Sequence, residues 1–135
     1  GRGDVKALKK CEDAVRRCQE CGIIPYASFL VGNPEDDESV FDRTLEFAQR
    51  TNVDLAEFAI ATPYPGTPAW RRYNAEERII DRTWMHYNDA NVVFRPHNMS
   101  PERLLEGYLY LWREFYRGRR GELHTRGHVE RTIQF

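Results

Sequence analysis

The stretch spanning residues 23–39, Ile-Ile-Pro-Tyr-Ala-Ser-Phe-Leu-Val-Gly-Asn-Pro-Glu-Asp-Asp-Glu-Ser, constrains the fold most strongly. No charge interrupts the run from Ile23 to Val31, which is rich in apolar, β-branched and aromatic residues. Such a run predicts a strand buried on both faces, the habit of parallel sheets. It breaks at Gly32-Asn33-Pro34 and enters an acidic helix start at residues 35–38. A buried strand that ends in a glycine turn and a helix N-terminus is where α/β proteins place small-molecule ligands. Gly32 has no Cβ to hold a ligand away from the backbone.

The flanking segments extend this into a βαβ unit. Residues 4–21 read as a helix, with Val5, Leu8, Cys11, Val15 and Cys18 recurring at three- and four-residue steps. Asp4 suits its N-cap and Gly22 a left-handed stop. A second helix is predicted over residues 37–50, with Asn52 marking its exit, and a second strand over residues 55–61. Strand, helix and strand within about 40 residues require a right-handed crossover between parallel strands. The helix ahead of the first strand implies a further strand before it. That implication, and a first residue other than methionine, favour a fragment of a longer protein.

Residues 62–72, Thr-Pro-Tyr-Pro-Gly-Thr-Pro-Ala-Trp-Arg-Arg, read as a proline-stiffened loop carrying Tyr64 and Trp70. Residues 79–89 suggest a helix through Ile80, Trp84 and Tyr87, and residues 91–95 a short extended piece. The last helix is signalled by Ser100 as cap, Pro101 in the first turn and Gly118 as stop. Leu104, Tyr108, Leu111 and Phe115 form one apolar row on it, with Leu105, Trp112 and Tyr116 beside them. From Arg117 onward five arginines and two glutamates predict a loosely ordered tail.

Composition narrows the function classes. The 135 residues are 41% hydrophobic and 30% charged, with a formal net charge of −1. That balance describes a folded α/β piece and gives no general reason to expect nucleic acid or an anionic membrane as partner. No apolar run approaches the roughly 20 residues that span a bilayer. No signal peptide opens the sequence, and three cysteines without one point to a reducing, cytoplasmic setting.

Among candidate sites, the three cysteines suggest a metal, because Cys18 and Cys21 are spaced by two residues. Cys11, Val15 and Cys18 share a helix side, however, where free cysteine packs as a small hydrophobe. No histidine lies nearby to complete four ligands, so packing is the stronger reading. His124 and His128 are four apart in a glycine-bearing tail and supply only two ligands. His86 and His97 have no nucleophile at a recognisable spacing. The acidic run at residues 35–38 serves equally as helix-dipole complement or as part of a ligand site. The residues alone therefore give an α/β piece with a ligand edge formed by residues 32–35 and 62–66.

At those two loops the sequence resembles the C-terminal half of a radical S-adenosylmethionine (radical SAM) enzyme, closest to the class with an N-terminal cobalamin-binding domain. Ser28-Phe29-Leu30-Val31-Gly32-Asn33-Pro34-Glu35 is similar to the family's GxIxGxxE element, which lies against the adenine of S-adenosylmethionine. Ser28 stands at the first glycine of that element and Leu30 at its isoleucine. Thr62-Pro63-Tyr64-Pro65-Gly66-Thr67-Pro68 resembles the family's loop after the sixth strand, where main-chain groups meet the adenine. Residues 84–96, Met99 and the last helix resemble the family's C-terminal extension.

The resemblance implies the end of a (β/α) barrel over residues 1–78, made of about two parallel strands with flanking helices. A C-terminal helical extension over 79–118 and a basic tail over 119–135 follow. It implies that Ser28, Leu30, Gly32, Glu35, Thr62, Pro63, Tyr64, Pro65 and Gly66 contribute to an S-adenosylmethionine pocket. It further implies a [4Fe–4S] cluster whose ligands lie outside this chain, since the family's C-x₃-C-x₂-C loop is absent. Cobalamin and a small organic substrate would be bound by the parent, and the isolated piece would be inactive. The rival expectation is a non-enzymatic interaction or nucleic-acid-binding module using the aromatic helix or the arginine tail. Bare barrel edges also predict self-association of the piece.

Overall fold

The computed structural model describes residues 5–117. Its elements run α1 (Val5–Glu20), β1 (Tyr26–Val31), α2 (Ser39–Arg50), β2 (Leu55–Ile60), α3 (Pro68–Ala75), a short 3₁₀ turn (Trp84–His86) and α4 (Pro101–Tyr116). The fold class is α/β, as the alternation of strand and helix patterns requires. Asp4, Gly118 and the basic tail lie outside the described residues.

β1 and β2 pair in parallel, with Tyr26 opposite Leu55 and Val31 opposite Ile60. Ala27, Phe29 and Val31 point into the core, where Val31 is fully buried. Tyr26, Ser28 and Leu30 alternate with them and are exposed, Tyr26 at 62% and Leu30 at 54%. The expectation of a strand covered on both faces is therefore corrected. A period-two strand has two faces, and the described residues provide helices for only one.

That one layer consists of α2 and α4. Val40, Phe41, Leu45 and Ala48 are the buried residues of α2, and Leu104, Gly107, Leu111 and Phe115 those of α4. Phe58 of β2 lies at the centre of an aromatic cluster. Its ring stacks on Phe29 at 5.5 Å and meets Trp112 and Phe115 edge-on, each at 5.6 Å. Such pairs contribute about 0.5–1.5 kcal/mol each beyond area burial. The two helices approach closely because residue 107 is glycine. A Cβ there would lie 2.2 Å from Phe41 Cζ.

Helix ends follow the sequence signals where those were strong. Gly22 has φ +73°, and Ile23 N–H donates to Cys18 O while Gly22 N–H donates to Gln19 O. Together these form a Schellman stop. Asn52 closes α2 with φ +51°. Ser100 Oγ accepts from Arg103 N–H at 3.1 Å, and Pro101 follows as the first residue of α4.

Three expectations fail for identifiable reasons. The proline-rich stretch is a loop only to Thr67, whose hydroxyl caps α3 by accepting from Trp70 N–H at 3.2 Å. Thr67-Pro68 is a cap followed by a first-turn proline, so it starts a helix instead of prolonging a loop. Residues 79–89 do not form a helix. Asp81 turns its carboxylate onto Thr83 N–H, a local bond that competes with helical pairing. Ile79 instead bridges antiparallel to Phe94, which confirms the extended piece over 91–95.

The third correction concerns α1. Leu8 is 41% exposed, Cys11 and Cys21 are exposed, and Cys18 is half-buried. Of its apolar stripe, Val15 packs against the core. Among the described residues, packing does not account for the cysteines.

Candidate functional site

Parallel pairing puts the ends of both strands on one side of the molecule, and the loops that leave them meet there. Ala61 N–H donates to Val31 O at 2.8 Å, so the Gly32 turn and the Thr62 loop start side by side. Ser28 and Leu30 lie on the exposed sheet face below this edge, and Gly32 is buried at its rim.

The first loop is held by Asp36. Its Oδ2 accepts from Gly32 N–H at 3.0 Å, from Asn33 N–H at 2.8 Å and from Asn33 Nδ2 at 3.1 Å. Asn98, from the segment before α4, donates through Nδ2 to Pro34 O and Asp36 O. Asp37 accepts from the Ser39 hydroxyl and from Ser39 N–H, and these bonds, the hydroxyl's first, lower its pKa from the ordinary carboxylate value. Glu38 pairs with Arg103 of α4. Of the four acidic residues, Asp36 thus ties the turn, Asp37 holds the start of α2 and Glu38 tethers α4, while Glu35 is exposed.

Gly32 has φ +89°, the left-handed region that L side chains avoid. A Cβ there would stand 2.9 Å from Leu104 Cδ2 and 3.6 Å from Phe94 Cζ. Glycine at this position is thus required by the chain's own C-terminal segment as well as by the turn.

The second loop is anchored beneath and open above. Thr62 N–H donates to Ile60 O at 2.7 Å and Thr62 Oγ1 to Asn88 O at 2.7 Å. Pro63 is fully buried and seats the loop on the core. Tyr64 O accepts both the backbone and the hydroxyl of Thr67, and Gly66 O accepts from Arg71. Tyr64 is 46% exposed, Pro65 half-buried and Gly66 exposed, the last with φ +88°. Among the described residues the Thr62 and Pro63 carbonyls accept no hydrogen bond. They are among the main-chain acceptors of this loop that a ligand could use.

All nine residues singled out from the sequence therefore belong to one edge: two on the sheet face, two in the glycine turn, five in the second loop. Sequence reasoning missed the residues that fix their geometry. Asp36 carried a readable signal, an Asn-Pro-Glu-Asp run after a glycine that favours side-chain-to-backbone turns. Asn98 had none, since its partners are more than 60 residues away.

The described residues contain no group of three His, Cys, Asp or Glu placed to share a metal ion. Cys18 and Cys21 close α1 at the opposite end of β1 from both loops. They do not fit as ligands to a cluster beside this edge. No helix of the described residues is long and apolar enough to cross a membrane.

No family model matches the chain. It is 30% identical over 92 residues, 68% of its length, to an uncharacterized methyltransferase of Pyrococcus horikoshii, covering 20% of that protein. It is 30% identical over 111 residues, 82% of its length, to a bacteriochlorophyllide d C-12(1)-methyltransferase of Chlorobaculum tepidum, covering 24% of it. An anaerobic magnesium-protoporphyrin IX monomethyl ester cyclase of Cereibacter sphaeroides is 27% identical over 105 residues, 78% of the chain and 17% of the cyclase. The chain thus spans about a fifth of the length of the curated relatives it matches. These relatives are enzymes, methyltransferases and a cyclase, of the type that the two loops resemble.

Proposed function

We propose that this chain, a relative of radical SAM enzymes that matches a C-terminal part of them, forms one wall of an S-adenosylmethionine pocket in a larger barrel. The observation that carries the reading is the Ala61-to-Val31 hydrogen bond, which sets the Gly32 turn and the Thr62 loop against each other. A flat nucleoside laid on that edge would meet exposed Leu30 and Ser28 from below. The Thr62 and Pro63 carbonyls and the Tyr64 ring would meet it from the side.

In the whole protein S-adenosylmethionine, reduced at a [4Fe–4S] cluster bound elsewhere, would supply a 5′-deoxyadenosyl radical that abstracts hydrogen from an organic substrate. The share of this chain is to bind, orient and exclude water, while the hard step belongs to the cofactor. Asp36 and Asn98 hold the glycine turn rigid, and Pro63 and Thr62 fix the second loop, so little order remains to be lost on binding. Cobalamin as a further cofactor, the barrel architecture and a cytoplasmic location are parts of the same proposal. The isolated chain should release no 5′-deoxyadenosine.

The test joins this segment to the cluster-bearing part of its parent and reconstitutes iron and sulfide without oxygen. The product should be brown and oxygen-sensitive. Leu30→Arg should weaken S-adenosylmethionine binding at least about tenfold, equivalent to ~1.4 kcal/mol. A colourless product, or unchanged affinity in the Leu30 variant, would overturn the reading.

A further inference from the structure

Cys18 and Cys21 stand together where α1 ends, and no packing role accounts for them. Cys18 is half-buried, and Cys21, one residue past the helix, is exposed. The Schellman stop closes on this pair: Cys18 O accepts from Ile23 N–H at 2.8 Å, and Gly22 follows Cys21 with φ +73°. The two thiols therefore sit on a backbone whose course is fixed on both sides.

That turn is partly 3₁₀. Cys21 N–H is shared between Arg17 O and Cys18 O, each at 3.1 Å, one bond of the α type and one of the 3₁₀ type. Side chains three residues apart are already neighbours on an α-helix, and in a 3₁₀ turn they eclipse. The rise over three residues puts the two Cα atoms roughly 5–6 Å apart, inside the range of about 4.4–6.8 Å that a disulfide spans. Cys11 is seven residues up the helix, a rise of ~10 Å, which is too far to bridge without moving backbone. The geometry thus selects one pair from three cysteines.

The same turn ties the entries of both strands. Gln19, between the two cysteines, donates through Nε2 to Asn52 O at 2.8 Å, and the chain runs from Asn52 into β2. Ile23, bound to Cys18 O, leads into β1. Glu12 pairs with Arg50 and holds α1 to α2 at the same end.

We infer that Cys18 and Cys21 form a reversible dithiol–disulfide pair, a redox latch on the turn that leads into β1. The oxidant is a low-molecular-weight disulfide of the glutathione kind. The thiolate of exposed Cys21 attacks one of its sulfurs and expels a thiolate, which leaves a mixed disulfide on the chain. The Cys18 sulfur then attacks the Cys21 sulfur and expels the second thiolate. One S–S bond forms in the chain as the oxidant's bond breaks, two electrons pass to the oxidant, and the two thiol protons go to the departing thiols. The latch lies at the other end of β1 from the Gly32 turn and the Thr62 loop, so it stands apart from the S-adenosylmethionine reading.

Glutathione disulfide added to the full 135-residue chain should remove two hydrogens from its intact mass, after which iodoacetamide should label Cys11 alone. Cys11→Ser should oxidise as the unaltered chain does. Cys18→Ser should stop at a glutathione adduct on Cys21, and Cys21→Ser should react at least about tenfold more slowly, because access limits the half-buried thiol. Closing the bond should slow amide exchange at Ile23, whose N–H lies on the latched turn. Glutathione should reduce the bond at least about tenfold less readily in the native chain than in urea, where the turn no longer holds the sulfurs together. A bond that includes Cys11, a disulfide between two chains, or a glutathione adduct that persists on the unaltered chain would overturn the inference. Equal reduction in urea, or unchanged exchange at Ile23, would do the same.

Discussion

Gly107 and Gly32 are glycine for different reasons, and the difference is measurable. At Gly107 the backbone is helical and the obstacle is Phe41, 2.2 Å from where a Cβ would stand. Gly107→Ala should destabilise the chain by ~1–3 kcal/mol, the usual cost of overpacking, read as a lowered urea midpoint. At Gly32 the φ of +89° adds a backbone penalty to the contact with Leu104. A double-mutant cycle with Leu104→Ala should recover the contact part of the Gly32→Ala loss and leave the backbone part. Full recovery would show that conformation at residue 32 costs nothing. Asp81 offers a pH test. Its hydrogen bond from His86, then those from Thr83, lower its pKa from 3.8 to about 2. A depressed carboxylate stabilises above its unfolded pKa, and that stability is lost as pH falls through the folded value. Order in the 81–87 loop should therefore persist at pH 4 and fade toward pH 2. Chemical shifts of the Thr83 amide should follow this in the native chain and lose it in Asp81→Asn.

At the scale of elements, the readable parts were those whose signals are local. Ser100-Pro101, Gly22 and Asn52 each fix a helix end by their own chemistry, and the structure has all three. The same chemistry at Thr67-Pro68 was hidden by the prolines around it, and α3 was missed. The apparent periodicity of residues 79–89 misled because Ile80 and Trp84, spaced like a helix face, are both exposed. Leu105 is likewise on the outer side of α4 at 40% exposure, while Gly107, which no apolar pattern marks, lies inside. The two loops at the strand ends were legible as loops, because a glycine turn and the first prolines after a strand are local signals. The bracing by Asn98 was not, since side-chain bonds across some 60 residues leave no spacing to read, while the local bracing by Asp36 had a readable signal that was missed. The cap of α4 gives a test at this scale. Ser100→Ala should cost ~1 kcal/mol and raise amide exchange at Arg103, whose N–H the hydroxyl accepts.

For the molecule as a whole, the open question is what lies against β1. The sheet has two strands, so one edge of β1 is unpaired among the described residues, and the face carrying Tyr26, Ser28 and Leu30 is uncovered. Neither proline nor charge protects the run from Tyr26 to Val31. Partial desolvation and then a hydrogen bond with Glu57 raise the Tyr26 phenol's pKa, and with Ser28 these are the polar groups of the face. We expect the isolated chain to associate through that edge. Sedimentation velocity at two concentrations should show a rising average mass, and Ser28→Lys should hold the chain monomeric. A monomer at both concentrations would remove the expectation.

The far side of β2 behaves differently, because Tyr116 Oη donates to Ala56 O at 2.6 Å and receives Ala56 N–H at 3.1 Å, while Asp89 O takes Ile60 N–H. The outer flank of β2 is thus partly occupied, whereas the β1 flank is bare among the described residues. Growth by strand addition is therefore expected to favour the β1 side. Two molecules joined there, bare flank to bare flank, should stop at a pair and not extend into a fibre.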